Sequence, residues 1–236
     1  MVILKYREDI EDMKIFRQNA FTLSEVLITL GVIGVVAAMT LPTVIKNYQK
    51  QVTVNKLKKA YTSLSNAIQM SKTVNGEVKD WDIKFDNKLQ SASDFADKYL
   101  IPYMKVVKTC KTNKTGDCNF LPKQLNGRAS DNYNQLTSFY TNDGILYVVG
   151  NANGIAGIIN NQYLITIDIN GNNPPNLYGK DIFMFNLYIN EGVVKSNFET
   201  SSDDTINNNC KIRASGYSCS AKIIRAGWKI KDDYPW

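Results

Sequence analysis

The chain has 236 residues, 44% of them hydrophobic, and a formal net charge of +6. It contains no histidine, which excludes a Ser-His-Asp triad, a Cys-His pair and every histidine-containing zinc site. With no Gly-x-Ser-x-Gly, Walker A or Gly-x-Gly-x-x-Gly stretch either, no enzymatic chemistry is expected of it. Residues 1–20, MVILKYREDIEDMKIFRQNA, are polar and sum to zero, so the positive excess lies in the remainder. That excess reads as a surface with additional lysines and suits an acidic partner or nucleic acid only weakly. Met13 offers a second start, which would leave Lys14 and Arg17 directly ahead of an apolar run, a cytoplasmic-side signature.

The run is Phe21–Pro42, FTLSEVLITLGVIGVVAAMTLP, and its one charge is Glu25. About 20 apolar residues suffice to cross a bilayer as a helix. No small-x-small cleavage site follows, so the stretch is not an ordinary secretory signal. A carboxylate inside such a run costs about 2.5–3.5 kcal/mol, so Glu25 needs a reason. The plain one is snorkelling to the cytoplasmic headgroups, since Glu25 lies one turn into the helix. Gly31 and Gly34 either let helices approach closely or simply lower helix propensity. Pro42 kinks a continuing helix or loosens the turn before it.

Beyond Pro42, Val54, Leu57, Tyr61, Leu64 and Ile68 keep three–four spacing and predict one core-facing stripe. Asn75-Gly76 is the expected stop, giving a helix of roughly 80 Å. Lys46, Lys50, Lys56, Lys58 and Lys59 fall on the outer side of the run, against the positive-inside bias. Long domains nevertheless cross largely regardless of charge. Residues 91–100 predict a short helix capped by Ser91 or Ser93, with Phe95, Tyr99 and Leu100 inward and Pro102 as its end. From Leu136 the period becomes two: LTSFY and ILYVVG flank the turn Thr141–Gly144, and YLITIDI, IFMFNLYI and VVK follow. Such close strands predict an antiparallel sheet and an α+β architecture. A last short helix is expected over 218–226 with Gly227 as its cap.

The four cysteines form two close pairs, Cys110 with Cys118 and Cys210 with Cys219, around polar inserts. Zinc ribbons use Cys-x-x-Cys spacing, which neither pair has, so two local disulfides on an extracytoplasmic domain are expected. Four cysteines allow three connectivities, and spacing alone does not choose among them.

Residues 19–42, NAFTLSEVLITLGVIGVVAAMTLP, resemble the N-terminus of type IV prepilins and pseudopilins. The shared features are a short basic leader, Phe-Thr-Leu-x-Glu and a long apolar helix. The resemblance implies that a prepilin peptidase cuts between Ala20 and Phe21 and methylates the new amine of Phe21. Ala20 departs from the glycine usual before the cut. The resemblance further implies that Glu25 meets the Phe21 amine of a neighbouring subunit in a filament core without lipid. Each charge would be buried and unpaired alone, so pairing favours one axial register.

The implied organisation is a leader over 1–20, a transmembrane and assembly half of the helix over 21–42, an amphipathic half over 43–76, and an extracytoplasmic pilin-like α+β domain over 77–236. The implied protein is a structural subunit of a type IV pilus or a type II secretion pseudopilus. It waits in the bacterial inner membrane with a cytoplasmic N-terminus, then polymerises through its helix on an inner-membrane assembly platform. Two alternatives stand beside it. One is a membrane-anchored binding module that never polymerises. The other is a DNA-binding minor pilin, motivated by the positive charge and by Trp228, Tyr234 and Trp236 beside lysines, although packing onto the domain is the plainer use of those aromatics. No cofactor is expected. The loop DINGNNPPNLYGKD (168–181) resembles one frequent among bacterial pilin-like proteins, and Asp168, Asn170 and Asp181 can offer oxygens to calcium. The EF-hand glutamate position is Gly179 instead, so the loop reads as a connection held by its own hydrogen bonds.

Overall fold

The computed structural model describes residues 21–84, 89–110, 120–130, 137–151 and 162–236. Two compact units divide the chain at Lys46/Asn47. Helix α1 (Leu23–Asn75) runs through both and continues through Pro42. In the first unit its large apolar side chains are exposed, from Leu23 to Ile45. The predicted stop holds: Gly76 adopts φ +79°, and its N–H donates to Lys72 O at 3.0 Å.

The second unit is a helix-on-sheet layer with the expected α+β make-up. Strands β1 (Val106–Cys110), β2 (Thr137–Thr141), β3 (Leu146–Asn151), β4 (Gln162–Asp168), β5 (Ile182–Tyr188) and β6 (Val193–Ser196) form one antiparallel meander in chain order. The period-two reading places all of these but β1. The β2–β3 hairpin turns where expected, with the N–H of Gly144 donating to Thr141 O at 2.9 Å.

One face of the sheet carries Phe139, Tyr147, Ile165, Ile167, Phe183, Phe185 and Leu187, matched by register across the strands. Onto it pack the α1 stripe, with Leu57 and Leu64 fully buried, and helix α2 (Leu89–Tyr99) through Phe95 and Tyr99. Each buried large apolar side chain contributes about 1.5–3 kcal/mol. Three tyrosine hydroxyls complete the seam: Tyr147 donates to Ala60 O at 3.1 Å, Tyr61 to Val194 O at 3.1 Å and Tyr163 to Ser91 O at 3.3 Å.

The opposite face is also covered. Leu146, Val148, Leu164 and Met184 pack with Phe120 and Tyr178. This second cover explains why every residue of β4 is buried.

The helix predicted from Ser91 begins earlier, at Leu89, so Ser91 and Ser93 lie inside it and cap nothing. Both are buried at the helix–sheet seam, where small side chains allow close packing. Helix α3 (Asp203–Asn209) was not anticipated, although Ser202 followed by Asp203 and Asp204 is an N-terminal signal. The Ser202 hydroxyl accepts from Thr205 N at 3.3 Å. Helix α4 (Cys219–Arg225) and its Gly227 end match expectation.

Candidate assembly site

The head of α1 is closed by its own side chains. The N–H and the hydroxyl of Thr22 donate to Glu25 Oε2 at 2.8 and 2.9 Å. The Glu25 N–H donates back to Thr22 Oγ1 at 3.2 Å. This is a capping box, which satisfies two of the orphan donors of a helix start. Its signal, Thr-x-x-Glu, stands at 22–25 in the sequence. Phe21 is exposed beside it, and Ala20 lies outside the described residues.

Beyond the box the helix presents an apolar sheath. Leu27, Ile28, Leu30, Ile33, Val36 and Met39 are all exposed. A Cβ added at Gly31 or Gly34 would meet nothing within 4 Å. Either position can therefore receive another helix without rearrangement inside this chain. Among the described residues α1 is the one helix long and apolar enough to cross a membrane.

The loop after β4 does bring Asp168, Asn170 and Asp181 together. Asp168 accepts backbone N–H bonds from Asn170, Gly171 and Asn172 at 3.1, 3.1 and 2.9 Å. Asp181 accepts from the N–H groups of Asn176 and Leu177, both at 2.8 Å, and from Asn170 Nδ2 at 3.2 Å. All four carboxylate oxygens thus face N–H donors. Burial pushes the Asp168 carboxyl up to about 7, and the charge of Asp181 adds to the rise. Burial also raises Asp181. Asn170 Oδ1 and Asn176 Oδ1 have no hydrogen-bond partner among the described residues. Calcium requires six to eight converging oxygens. Asp168 and Asp181 are two carboxylates, and the described residues contain no group of three acidic or thiol ligands. The loop is a hydrogen-bonded connection as arranged.

Cys210 and Cys219 form a disulfide that ties the end of α3 to the start of α4, both sulfurs fully buried. This excludes those two as zinc thiolates. Cys110 is also disulfide-bonded, and Cys118 lies outside the described residues. The three aromatics of the C-terminal end differ in burial, with Trp228 and Trp236 half-buried. Tyr234 is 5% exposed, and its hydroxyl donates to Gly179 O at 2.6 Å. Trp228 packs on Tyr61 with ring centroids 5.5 Å apart. Tyr234 belongs to the core, and Trp228 and Trp236 pack against it while staying partly exposed.

Two family models match the chain. One, described as a prokaryotic N-terminal methylation motif, matches residues 15–41. The other, described as a family of unknown function (DUF6613), matches residues 43–236. Comparisons with curated proteins and with solved structures found no match.

Proposed function

The chain belongs to the family of unknown function DUF6613 behind a type IV prepilin-type methylation motif, and from this premise we propose that it is a structural subunit of a type IV pilus or a type II secretion pseudopilus. Its leader ends at Ala20. The prepilin peptidase cuts before Phe21 and methylates the new amine. Residues 21–42 then hold the subunit in the inner membrane, the domain lies outside, and the assembly platform moves the subunit into a filament.

One observation carries this reading. The part of α1 that the methylation motif matches, residues 23–41, exposes its large apolar side chains. Such a surface needs lipid before assembly and neighbouring helices after it. Glu25 sits at its head, where a carboxylate in an apolar core requires a cation. The Phe21 amine of a neighbour supplies one, and pairing sets the axial step of an open, heterologous assembly.

The test is mass spectrometry of the protein from cells with and without prepilin peptidase. An N-terminal peptide beginning at methylated Phe21, lost without the peptidase, is expected. An intact leader in peptidase-positive cells would leave only a membrane anchor and overturn the proposal.

A further inference from the structure

The lysines on the outer side of the apolar run have no use in the filament reading above. Their placement in the second unit supplies one. The chain enters this unit at Asn47, five residues after Pro42. Two clefts flank the turns of α1 that follow Asn47. In one, Gln49, Thr53 and Lys56 face Lys180 and Trp236. In the other, Asn47 and Lys50 face Trp228, Lys229 and Asp232. Lys180 Nζ lies 4.9 Å from the centre of the Trp236 ring. Lys229 and Lys231 are exposed. Tyr48 is 66% exposed on the same turns.

The acidic groups nearby offset only part of this charge, and Lys56, Lys229 and Lys231 remain exposed beside them. Asp232 lies 3.6 Å from Lys50, and Asp233 is already held by Lys222 at 2.8 Å. Asp181 is buried and faces N–H donors. Lysines with half-buried tryptophans and an exposed tyrosine are the side chains that favour the headgroup level of a bilayer. Each lysine near an anionic leaflet is attracted within a Debye length of its surface. Five residues of helix span only roughly 8 Å.

We infer that this end of the Asn47–Trp236 unit docks on anionic phospholipid headgroups while the subunit waits in the membrane. The docking rests on the membrane-anchored subunit proposed above. It gives Lys50 and Lys56 a role beside Lys229 and Lys231, holding the domain against the bilayer until extraction releases it. The contact is electrostatic, so it is reversible and salt-sensitive.

The full chain, reconstituted into vesicles carrying a nitroxide-headgroup lipid, tests this through tryptophan quenching. Flotation checks insertion in parallel. Quenching should be stronger with phosphatidylglycerol than with phosphatidylcholine alone and should return to the phosphatidylcholine level at high salt. The variant K56Q/K229Q/K231Q should insert normally and lose the difference, with the docked ratio falling about fivefold per lysine removed. Equal quenching in both lipids for the inserted protein would overturn the docking. So would lysine-dependent self-association or duplex-DNA binding that accounts for the salt sensitivity without anionic lipid. Failure to float would instead overturn the membrane anchor itself, and the docking with it.

Discussion

Thr22 and Glu25 hold each other reciprocally, the Thr22 N–H donating to Glu25 Oε2 at 2.8 Å and the Glu25 N–H donating to Thr22 Oγ1 at 3.2 Å. Glu25 therefore has work to do inside its own chain besides the pairing proposed with a neighbour. Substitution by alanine removes both roles together, so the two need separating. Glu25→Gln keeps an acceptor for Thr22 and removes the charge. Thr22→Ala keeps the charge and loses the cap, at about 1 kcal/mol of helix stability. With charge pairing in control of assembly, Glu25→Gln abolishes filaments and Thr22→Ala lowers their yield modestly, both inserting normally. Sheared-filament yield against membrane-fraction protein measures this, and equal loss in the two variants would point to the cap instead.

Gly171 is wedged against the β2–β3 turn. A Cβ there would lie 2.3 Å from Gly144 O, and its φ is +68°. Gly76 shares the backbone conformation at φ +79° but has open space around it. Gly76→Ala should cost about 1 kcal/mol from backbone conformation alone. Gly171→Ala should cost about 2–4 kcal/mol, because backbone must also move. Urea unfolding of the two variants gives the difference. Equal losses would show that the contact between loop and turn is soft.

Asp168 makes stability depend on pH. Its carboxyl rises from an ordinary 3.8 to about 7, because burial disfavours the charge. The folded protein then binds the proton more tightly than the unfolded chain does. Its contribution is full below pH about 4 and is lost as pH climbs toward 7. Wild type should therefore lose stability across that window relative to Asp168→Asn, which cannot titrate. Melting temperatures of both proteins over this range read the difference, and parallel profiles would place the Asp168 carboxyl at its ordinary value.

The Cys210–Cys219 bond closes a short loop, with a sequence separation of 9. Loop-closure entropy for such a length is worth about 2.5 kcal/mol. Cys210→Ala/Cys219→Ala should lower unfolding free energy by about that amount. Both sulfurs are buried, so a reductant should act on the native protein only as fast as α3 and α4 open. Mass-resolved thiol trapping over time checks this, and immediate reduction of native protein would contradict it.

Much of this organisation was legible from pattern alone. Three–four spacing located the α1 stripe, and Asn75-Gly76 marked the region of its end. Alternation located β2 to β6, with the turns after β2 and after β5. Ser91 shows where pattern runs out. A serine ahead of an apolar rhythm looks like a cap, but here it is a small residue buried at the seam with Tyr163. Helix α3 escaped because Asp-Asp-Thr-Ile-Asn-Asn-Asn offers only one apolar anchor, Ile206. The Thr22–Glu25 box had a local signature, yet the cost of a carboxylate in an apolar run outweighed it in the reading.

The sequence by itself determined α1, β2 to β6, α4 and the prepilin-type signal, because spacing, caps and a lone charge in an apolar run act over a few residues. Only the tertiary structure decided the rest. It set both faces of the sheet under cover, Asp168 among backbone donors, Tyr234 in the core and lysines from distant segments around the first turns after Asn47. Those outcomes depend on burial and on long-range juxtaposition, which no local period encodes.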